Sequence, residues 1–465
     1  MAQAIDSVPF KRILIANRGE IAVRIIHACR ALGVESVLAV SEVDKHTLGA
    51  QMADKVVCIG PASSSESYLK ISALMAVASA THCQALHPGY GFLAESEDLA
   101  LACEKAGIVF IGPTSSQILS MGNKLQARAL AKLAQVPMLS GSDKVRDADH
   151  ALDLAEKIGY PVMLKAAAGG GGKGMKIVRS GNQMKSLFGS ASAESRSAFG
   201  DDTLYLEKYI SNARHVEVQV LGDHHGHLIH LGERDCSLQR RHQKVVEESP
   251  APVLAQSVRT HIRDAALKLA KAIEYRNAGT VEFILDGNTS EFYFLEMNTR
   301  IQVEHPVSET VSGIDLVEEQ IRIASGQALR FSQEEVVLRG HAIECRINAE
   351  VPSEGFRPSP GLITKWIPPT GPNIRLDTHC FEGYRVPIDY DSMLAKLIVY
   401  GVDRMDAIRR LRHALDYFEI EGIGTTLPFI KYAIAHPSFI SGEVNTVLVD
   451  KMIAEMALKD RKEVT

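Results

Sequence analysis

Arg12-Ile13-Leu14-Ile15-Ala16-Asn17-Arg18-Gly19-Glu20 is an apolar run that breaks into a polar turn. Residues 21–32 follow it, with apolar Ile21, Val23, Ile25, Ile26, Ala28 and Leu32. That density of apolar positions predicts a mostly buried helix, so the stretch reads as a strand handing over to a helix. Further β-rich runs occur at residues 36–40, 55–59, 84–86 and 108–111, with helical stretches between them. Strands spaced by helices predict parallel βαβ units in a doubly wound, Rossmann-like α/β sheet. The turn at Ala16–Glu20 is not G-x-G-x-x-G, so it does not predict a nicotinamide dinucleotide site.

Past residue 122 the pattern changes. A glycine cluster at 169–174 precedes strand-like runs at 203–209, 215–221, 228–231, 280–285 and 291–297. A third region opens near Arg339, contains the irregular Arg357-Pro358-Ser359-Pro360-Gly361, and closes with a helix around 404–418. The charged residues 454–465 are predicted to fray.

Composition bounds the function. The 465 residues carry 51 Lys plus Arg against 56 Asp plus Glu, a net charge of −5. This excludes a uniformly basic, nucleic-acid-binding surface. No apolar run approaches the roughly 20 residues that a bilayer requires, so no membrane span is expected. Residues 1–9 lack the basic and apolar regions of a signal peptide, which predicts a cytoplasmic protein. Cys29, Cys58, Cys83, Cys103, Cys236, Cys345 and Cys380 form no C-x-x-C pair, and reduced thiols are expected.

Three constellations carry chemistry. In Lys165-Ala166-Ala167-Ala168-Gly169-Gly170-Gly171-Gly172-Lys173-Gly174-Met175, unobstructed backbone N–H groups can turn onto a polyanion, with Lys165, Lys173 and Lys176 adding charge. The alternative is a flexible hairpin or linker; the short span between two strands favours a phosphate-covering loop. It is not a Walker A loop.

The second is a hairpin. Residues 280–285 and 291–297 flank Asp286-Gly287-Asn288-Thr289-Ser290, and centring the turn on Thr289 places Glu282 opposite Glu296. Phe292, Phe294, Glu296 and Asn298 are expected on one face; Val281, Phe283, Leu285, Tyr293, Leu295 and Met297 form the other. Facing carboxylates repel unless the face is solvated. With both faces covered they require a cation, and oxygen donors beside Asn298 point to Mg²⁺ or Mn²⁺. Arg300, Gln302 and Glu304 then follow at i, i+2 and i+4 on one side of an extended segment. They form either a surface salt bridge or an anion holder with a base.

The third is Glu233-Arg234-Asp235-Cys236-Ser237-Leu238-Gln239-Arg240-Arg241-His242-Gln243-Lys244, a solvated basic face or an anion clamp. Asp223-His224-His225-Gly226-His227 reads as a turn between strands, not a ligand set.

RILIANRGE (12–20), HPGYGFLAES (87–96), the glycine loop, RDCSLQRRHQKVVEES (234–249) and EMNTRIQVEH (296–305) occur in this order. Together they make the chain resemble biotin carboxylase, the ATP-grasp component of acetyl-CoA carboxylase and its relatives, from about Arg12 to about Met452. The resemblance implies a pre-ATP-grasp domain (1–121), an ATP-grasp domain (122–338, with its lid at about 138–210), a C-terminal biotin carboxylase domain (339–453) and a tail (454–465). It implies that Lys124 and Lys165 hold ATP phosphates, that Gly171 and Gly172 close over them, and that Glu207, Lys208, Tyr209 and Ile210 meet adenine. His215 and His242 would bind the nucleotide, and Glu282, Glu296 and Asn298 would ligate two Mg²⁺ or Mn²⁺ ions. Lys244, Arg300, Gln302 and Val303 would hold bicarbonate, Glu304 would act as base, and Arg346 would serve biotin and its enolate.

The same resemblance implies a homodimer that works with a biotin carboxyl carrier protein and carboxyltransferase subunits. No Ala-Met-Lys-Met biotin-acceptor context occurs, and no length for a carboxyltransferase follows Met452, so biotin is expected to arrive on another protein. Another ATP-grasp ligase, joining a carboxylate to an amine, would not need HPGYGFLAES or the RRHQK segment. A non-catalytic nucleotide-binding regulator would be expected to lose Glu296, Arg300 or Glu304, and all three are present.

Overall fold

The computed structural model describes residues 8–167 and 175–463. The glycine loop with Gly171 and Gly172 therefore lies outside the described residues. The opening strand β1 (Arg12–Ile15) is followed by the helix Gly19–Ala31, as the apolar pattern requires. With β2 (Glu35–Ser41), β3 (Lys55–Gly60), β4 (Ala85–His87) and β5 (Val109–Phe110) it forms a parallel sheet of order β3-β2-β1-β4-β5. Helices cover this sheet and bury Ile13 and Ile15 on one face and Leu14 and Ala16 on the other. It is the doubly wound α/β unit that the alternation predicts.

A smaller sheet joins β6 (Val162–Ala166), β7 (Lys176–Val178) and β8 (Leu204–Lys208), in the order β7-β6-β8. The helices Ala148–Ile158 and Gly181–Phe199 pack on it around a separate core that includes Val162, Leu164, Met184 and Leu206.

The largest sheet is antiparallel and eight-stranded. It begins with β13 (Phe292–Asn298), then β12 (Asn277–Asp286), β9 (Ala213–Gly222), β10 (Leu228–Arg240), β11 (Gln243–Ser249) and β14 (His341–Asn348). Strands Met393–Gly401 and Ile374–Thr378 complete it. One continuous sheet therefore runs through residues on both sides of position 338.

Three expectations are corrected. The strand expected to end at residue 231 runs on to Arg240. Its charged half is carried through the interior because Arg234 pairs with Glu217, Asp235 with Arg214, and Glu233 with Arg263. In the β12–β13 hairpin a register shift follows Glu282, so Phe283 faces Phe294. Phe292 and Phe294 consequently join Val281, Phe283, Leu285 and Met297 in the core instead of covering Glu296. Residues 454–463 do not fray but continue the helix Leu448–Glu463, whose Met452, Ile453 and Met456 pack on the C-terminal core.

The turn Asp223–His227 is a turn, in which Asp223 accepts from the His225 and His227 backbone N–H groups. All seven cysteines are free, and only Cys58 is exposed. Among the described residues no helix is long and apolar enough to cross a membrane.

Candidate active site

Strand register builds the site before any side chain is considered. Arg234 lies beside Glu217, Glu217 beside Glu282, and Glu282 beside Glu296, across β10, β9, β12 and β13. Four charged residues thus form one lateral row on the face that lines a cleft of about 1540 Å³. The expected Glu282–Glu296 pairing is present, and it is flanked by a third carboxylate, Glu217, that the hairpin alone does not reveal.

Lysines already answer part of the repulsion. Lys244, on β11, places Nζ at 2.6 Å from Glu217 Oε2, 3.1 Å from Glu282 Oε1 and 2.5 Å from Glu304 Oε1. Lys124 Nζ stands 3.6 Å from Glu296 Oε2. Asn123 caps the helix Lys124–Leu133 by accepting from Gln126 N, which fixes Lys124 in the first turn. His215 Nε2 is 3.3 Å from both Glu217 Oε2 and Glu282 Oε2. Among the described residues, His215, Glu217 and Glu282 form one group of donors close enough to hold a metal, and Glu217, Cys236 and Glu304 form another. Asn298 joins its edge by donating to Glu282 Oε1 at 2.8 Å.

These neighbours split the carboxylates electrostatically. Burial raises the Glu282 carboxyl above its usual range, against the pull of Lys244 and His215. Burial also opposes ionisation of Glu296, but Lys124 and Lys165 prevail and hold it below that range. At Glu217 burial is again outweighed, here by Lys244 and Arg234, and the carboxyl stays well below. Lys244 is raised because its carboxylates outweigh burial, and His215 is raised chiefly by Glu282.

The segment after β13 is a turn and not an extended strand, because Glu304 is the N-cap of the helix His305–Ser312, with Pro306 in its first turn. Arg300 and Gln302 nevertheless meet, Nη1 to Oε1 at 3.1 Å, and Gln302 donates to Glu282 Oε1 at 3.2 Å. Arg300 is anchored by Glu95, Nε to Oε2 at 2.9 Å. Glu304 is held from both sides: Arg346 Nη2 donates to Oε2 at 2.8 Å while Lys244 takes Oε1. Arg346 Nε in turn donates to Glu247 Oε1 at 2.5 Å. Burial pushes the Glu247 carboxyl up to about 7, against the pull of Arg346.

At the other end of the cleft Lys165 and Arg128 both pair with the buried Glu207. Glu207, Lys208, Tyr209 and Ile210 line the cleft together with apolar Leu139, Met163 and Ile177. His242 lines it from the two-residue β10–β11 turn, where Arg241 and His242 have φ of 48° and 67°. Two non-glycine residues in the left-handed region fit the twist of a tight hairpin, and they cost backbone energy that a functional loop commonly bears.

The structure therefore brings Lys124, Lys165, Glu207, Lys208, Tyr209, Ile210, His215, His242, Lys244, Glu282, Glu296, Asn298, Arg300, Gln302, Val303 and Arg346 to one cleft. Glu304 lies buried immediately behind its wall. Sequence reasoning passes over Glu217, Glu247, Glu95 and Arg128. Glu217 has a signal: in His215-Val216-Glu217-Val218-Gln219-Val220 the polar residues alternate, which marks a polar face inside a strand.

Comparison with known proteins follows the same three-part division. Residues 9–118 match the model of the biotin carboxylase N-terminal domain. Residues 123–332 match that of the carbamoyl-phosphate synthase L chain ATP-binding domain, and 344–451 the biotin carboxylase C-terminal domain. Biotin carboxylase 1 of Bacillus subtilis is 52% identical over 441 residues, covering 95% of this chain and 98% of its own. The biotin carboxylase of a Nostoc species is 50% identical over 444 residues, covering 95% and 99%. The Campylobacter jejuni biotin carboxylase, solved as a complex with beta-gamma-ATP, superposes with a TM-score of 0.93 at 50% identity, over 96% of this chain and 99% of that one. The biotin carboxylase domain dimer of Hydrogenobacter thermophilus 2-oxoglutarate carboxylase, with MgADP and bicarbonate, gives 0.92 at 45%, over 95% and 97%. With three family models matched in order and relatives about 50% identical over 95% of its length, the chain belongs to the biotin carboxylase family, ATP-dependent ligases of the ATP-grasp type.

Proposed function

We propose that this chain activates bicarbonate with ATP and transfers the carboxyl group to N1′ of biotin presented by a separate carrier protein. The observation that carries this reading is Glu304 held between Lys244 and Arg346 at the end of the Glu217–Glu282–Glu296 row. An anion-holding set and a proposed polyphosphate-binding end share one cleft, with the base directly behind its wall.

Lys124 and Lys165 take the phosphates, Glu207 to Ile210 the adenine, and His215 and His242 the rest of the nucleotide. Glu282, Glu296 and Asn298 suit two Mg²⁺ or Mn²⁺ ions, since adjacent carboxylates and an amide oxygen are hard donors. Bound there, the ions supply charge neutralisation along the polyphosphate.

Arg300, Gln302, Val303 and Lys244 hold bicarbonate, and Glu304 removes its proton. The bicarbonate oxygen attacks the γ-phosphorus, the bond to the bridging oxygen breaks, and ADP leaves. Carboxyphosphate divides into CO₂ and phosphate, and the phosphate takes the biotin N1′ proton. Arg346 stabilises the resulting enolate while N1′ bonds to CO₂.

Functional units at 1–121, 122–338 (lid about 138–210), 339–453 and a tail at 454–465 fit this division of labour. The reading extends to a homodimer, with a biotin carboxyl carrier protein and carboxyltransferase subunits for partners. Seven free thiols support a reducing, cytoplasmic setting. The test is ATP turnover measured with and without bicarbonate and free biotin. Turnover that needs both supports the assignment; a rate indifferent to bicarbonate, or coupled to an amine acceptor, refutes it.

A further inference from the structure

Lys396 is fully buried on the strand Met393–Gly401 and does not line the cleft. Its Nζ donates to the Val303 carbonyl at 2.8 Å and lies 3.1 Å from Glu20 Oε1. Asp377 Oδ2 is farther, at 3.8 Å, and is itself held by Arg375. Glu20 belongs to the N-terminal helix Gly19–Ala31 and accepts from the Tyr90 hydroxyl. Both Glu20 and Tyr90 line the cleft, as does Val303. One ammonium thus joins the N-terminal wall of the cleft to the back of the turn that carries Gln302, Val303 and Glu304.

The neighbouring carbonyl is fixed as well. Gln302 O accepts from His305 Nδ1 at 2.8 Å. His305 is fully buried and kept neutral, by burial first and then by nearby cations, so one ring nitrogen carries a proton to donate. A trans peptide points its N–H opposite to its C=O. Anchoring the carbonyls of 302 and 303 therefore sets the direction of the Val303 and Glu304 N–H groups. It also sets where the Gln302 and Glu304 side chains leave the backbone.

We propose that Lys396 is a positioning residue for the bicarbonate step, clamping the Gln302–Glu304 turn through the Val303 carbonyl. This rests on the reading that Arg300, Gln302 and Val303 hold bicarbonate. A turn freed from this clamp would misplace the anion and its base together, and small misplacements at a reacting centre are costly. ATP, held at the other end of the cleft, would be spared.

Burial complicates the simplest variant, because Lys396→Met leaves the Glu20 charge unpaired inside the protein. The electroneutral double variant Lys396→Met/Glu20→Gln removes both charges and keeps similar volumes. Steady-state kinetics of both variants, beside Arg300→Gln as a control and with folding checked by circular dichroism, decide the matter. The expected result is a KM for bicarbonate raised by about tenfold, with the KM for ATP within about twofold of the parent.

An unchanged bicarbonate KM in the folded double variant, while Arg300→Gln raises it, overturns the role of Lys396 alone. A bicarbonate KM that neither Arg300→Gln nor the Lys396 variants move overturns the bicarbonate assignment as well. Equal rises for ATP and bicarbonate, or failure of both Lys396 variants to fold, reduce Lys396 to a structural residue and also overturn the proposal.

Discussion

Arg346 Nη2 donates to Glu304 Oε2 at 2.8 Å, which ties the proposed biotin-enolate cation to the proposed bicarbonate base. Lys244 holds the other Glu304 oxygen, so the carboxylate cannot rotate without losing a cation. Glu304→Gln keeps the shape but removes the base, and its amide nitrogen cannot accept from one of the two cations. We expect kcat to fall by about 10²–10⁴-fold, with the KM for ATP within about threefold. Steady-state kinetics at saturating bicarbonate check this, and a defect confined to ATP affinity would reassign the residue.

Glu296 takes its cation from the ATP-phosphate end of the cleft, where Lys124 stands 3.6 Å away. Glu296→Gln keeps that contact's geometry while removing a charged donor for the cation. Turnover should fall by about ten- to a hundredfold, and the Mg²⁺ concentration for half-maximal rate should rise. An Mg²⁺ titration of both proteins measures it; superimposable titrations would place the ions elsewhere.

Glu344 faces Glu247 directly across β11 and β14, and both its carboxyl oxygens are buried without a hydrogen-bond partner. Burial raises its carboxyl well above the usual range, with the Glu247 charge adding to it against Lys396 and Arg346. The folded chain therefore binds a proton that the unfolded chain releases near pH 4.3. Over that window ν_U is smaller than ν_N, so stability falls as pH rises, by up to about 1.4 kcal/mol per pH unit. Glu344→Gln removes this proton from the balance. Denaturant midpoints between pH 5 and 8 should decline more steeply for the parent than for the variant. Parallel declines would show that Glu344 titrates normally.

Part of this is legible in the sequence alone, and the limits have physical causes. Glu282 against Glu296 follows from counting outward from Thr289, because antiparallel register propagates residue by residue. Phe294 breaks the count, since a bulge adds one residue and turns everything before it to the other face. Glu217 shows its polar face within its own strand, yet its neighbours Glu282 and Arg234 depend on strand order, which local pattern does not encode. Glu247, Arg346 and Lys396 are harder still. Each is a charge made tolerable in the interior by a partner far away in the chain, and no local spacing announces such a pair. The helix through residue 463 escapes a reading by charge, because charged residues signal solvent, not fraying, when one face still carries Ile453 and Met456.

Purified alone, this chain should carry no covalent biotin, because no Ala-Met-Lys-Met context occurs within its 465 residues. It should carboxylate free biotin slowly with ATP, Mg²⁺ and bicarbonate. Supplying biotin on a small carrier domain should raise kcat/KM by at least about tenfold, since docking raises the local biotin concentration and pre-orients the ring. Arg346→Ala should depress carboxylation in both formats while leaving much of any biotin-independent ATP hydrolysis. Removing Arg346 also frees one oxygen of Glu304 and leaves the Glu247 carboxyl without its cation, so part of the loss will fall on the bicarbonate step. Comparing the ratio of biotin carboxylated to ATP hydrolysed separates the two. A ratio that collapses assigns Arg346 to biotin, whereas a ratio preserved at lower overall rate assigns it to supporting Glu304. A biotinylated lysine found by intact-mass measurement, or equal rates with free and carrier-borne biotin at matched concentration, would remove the separate carrier from the reading.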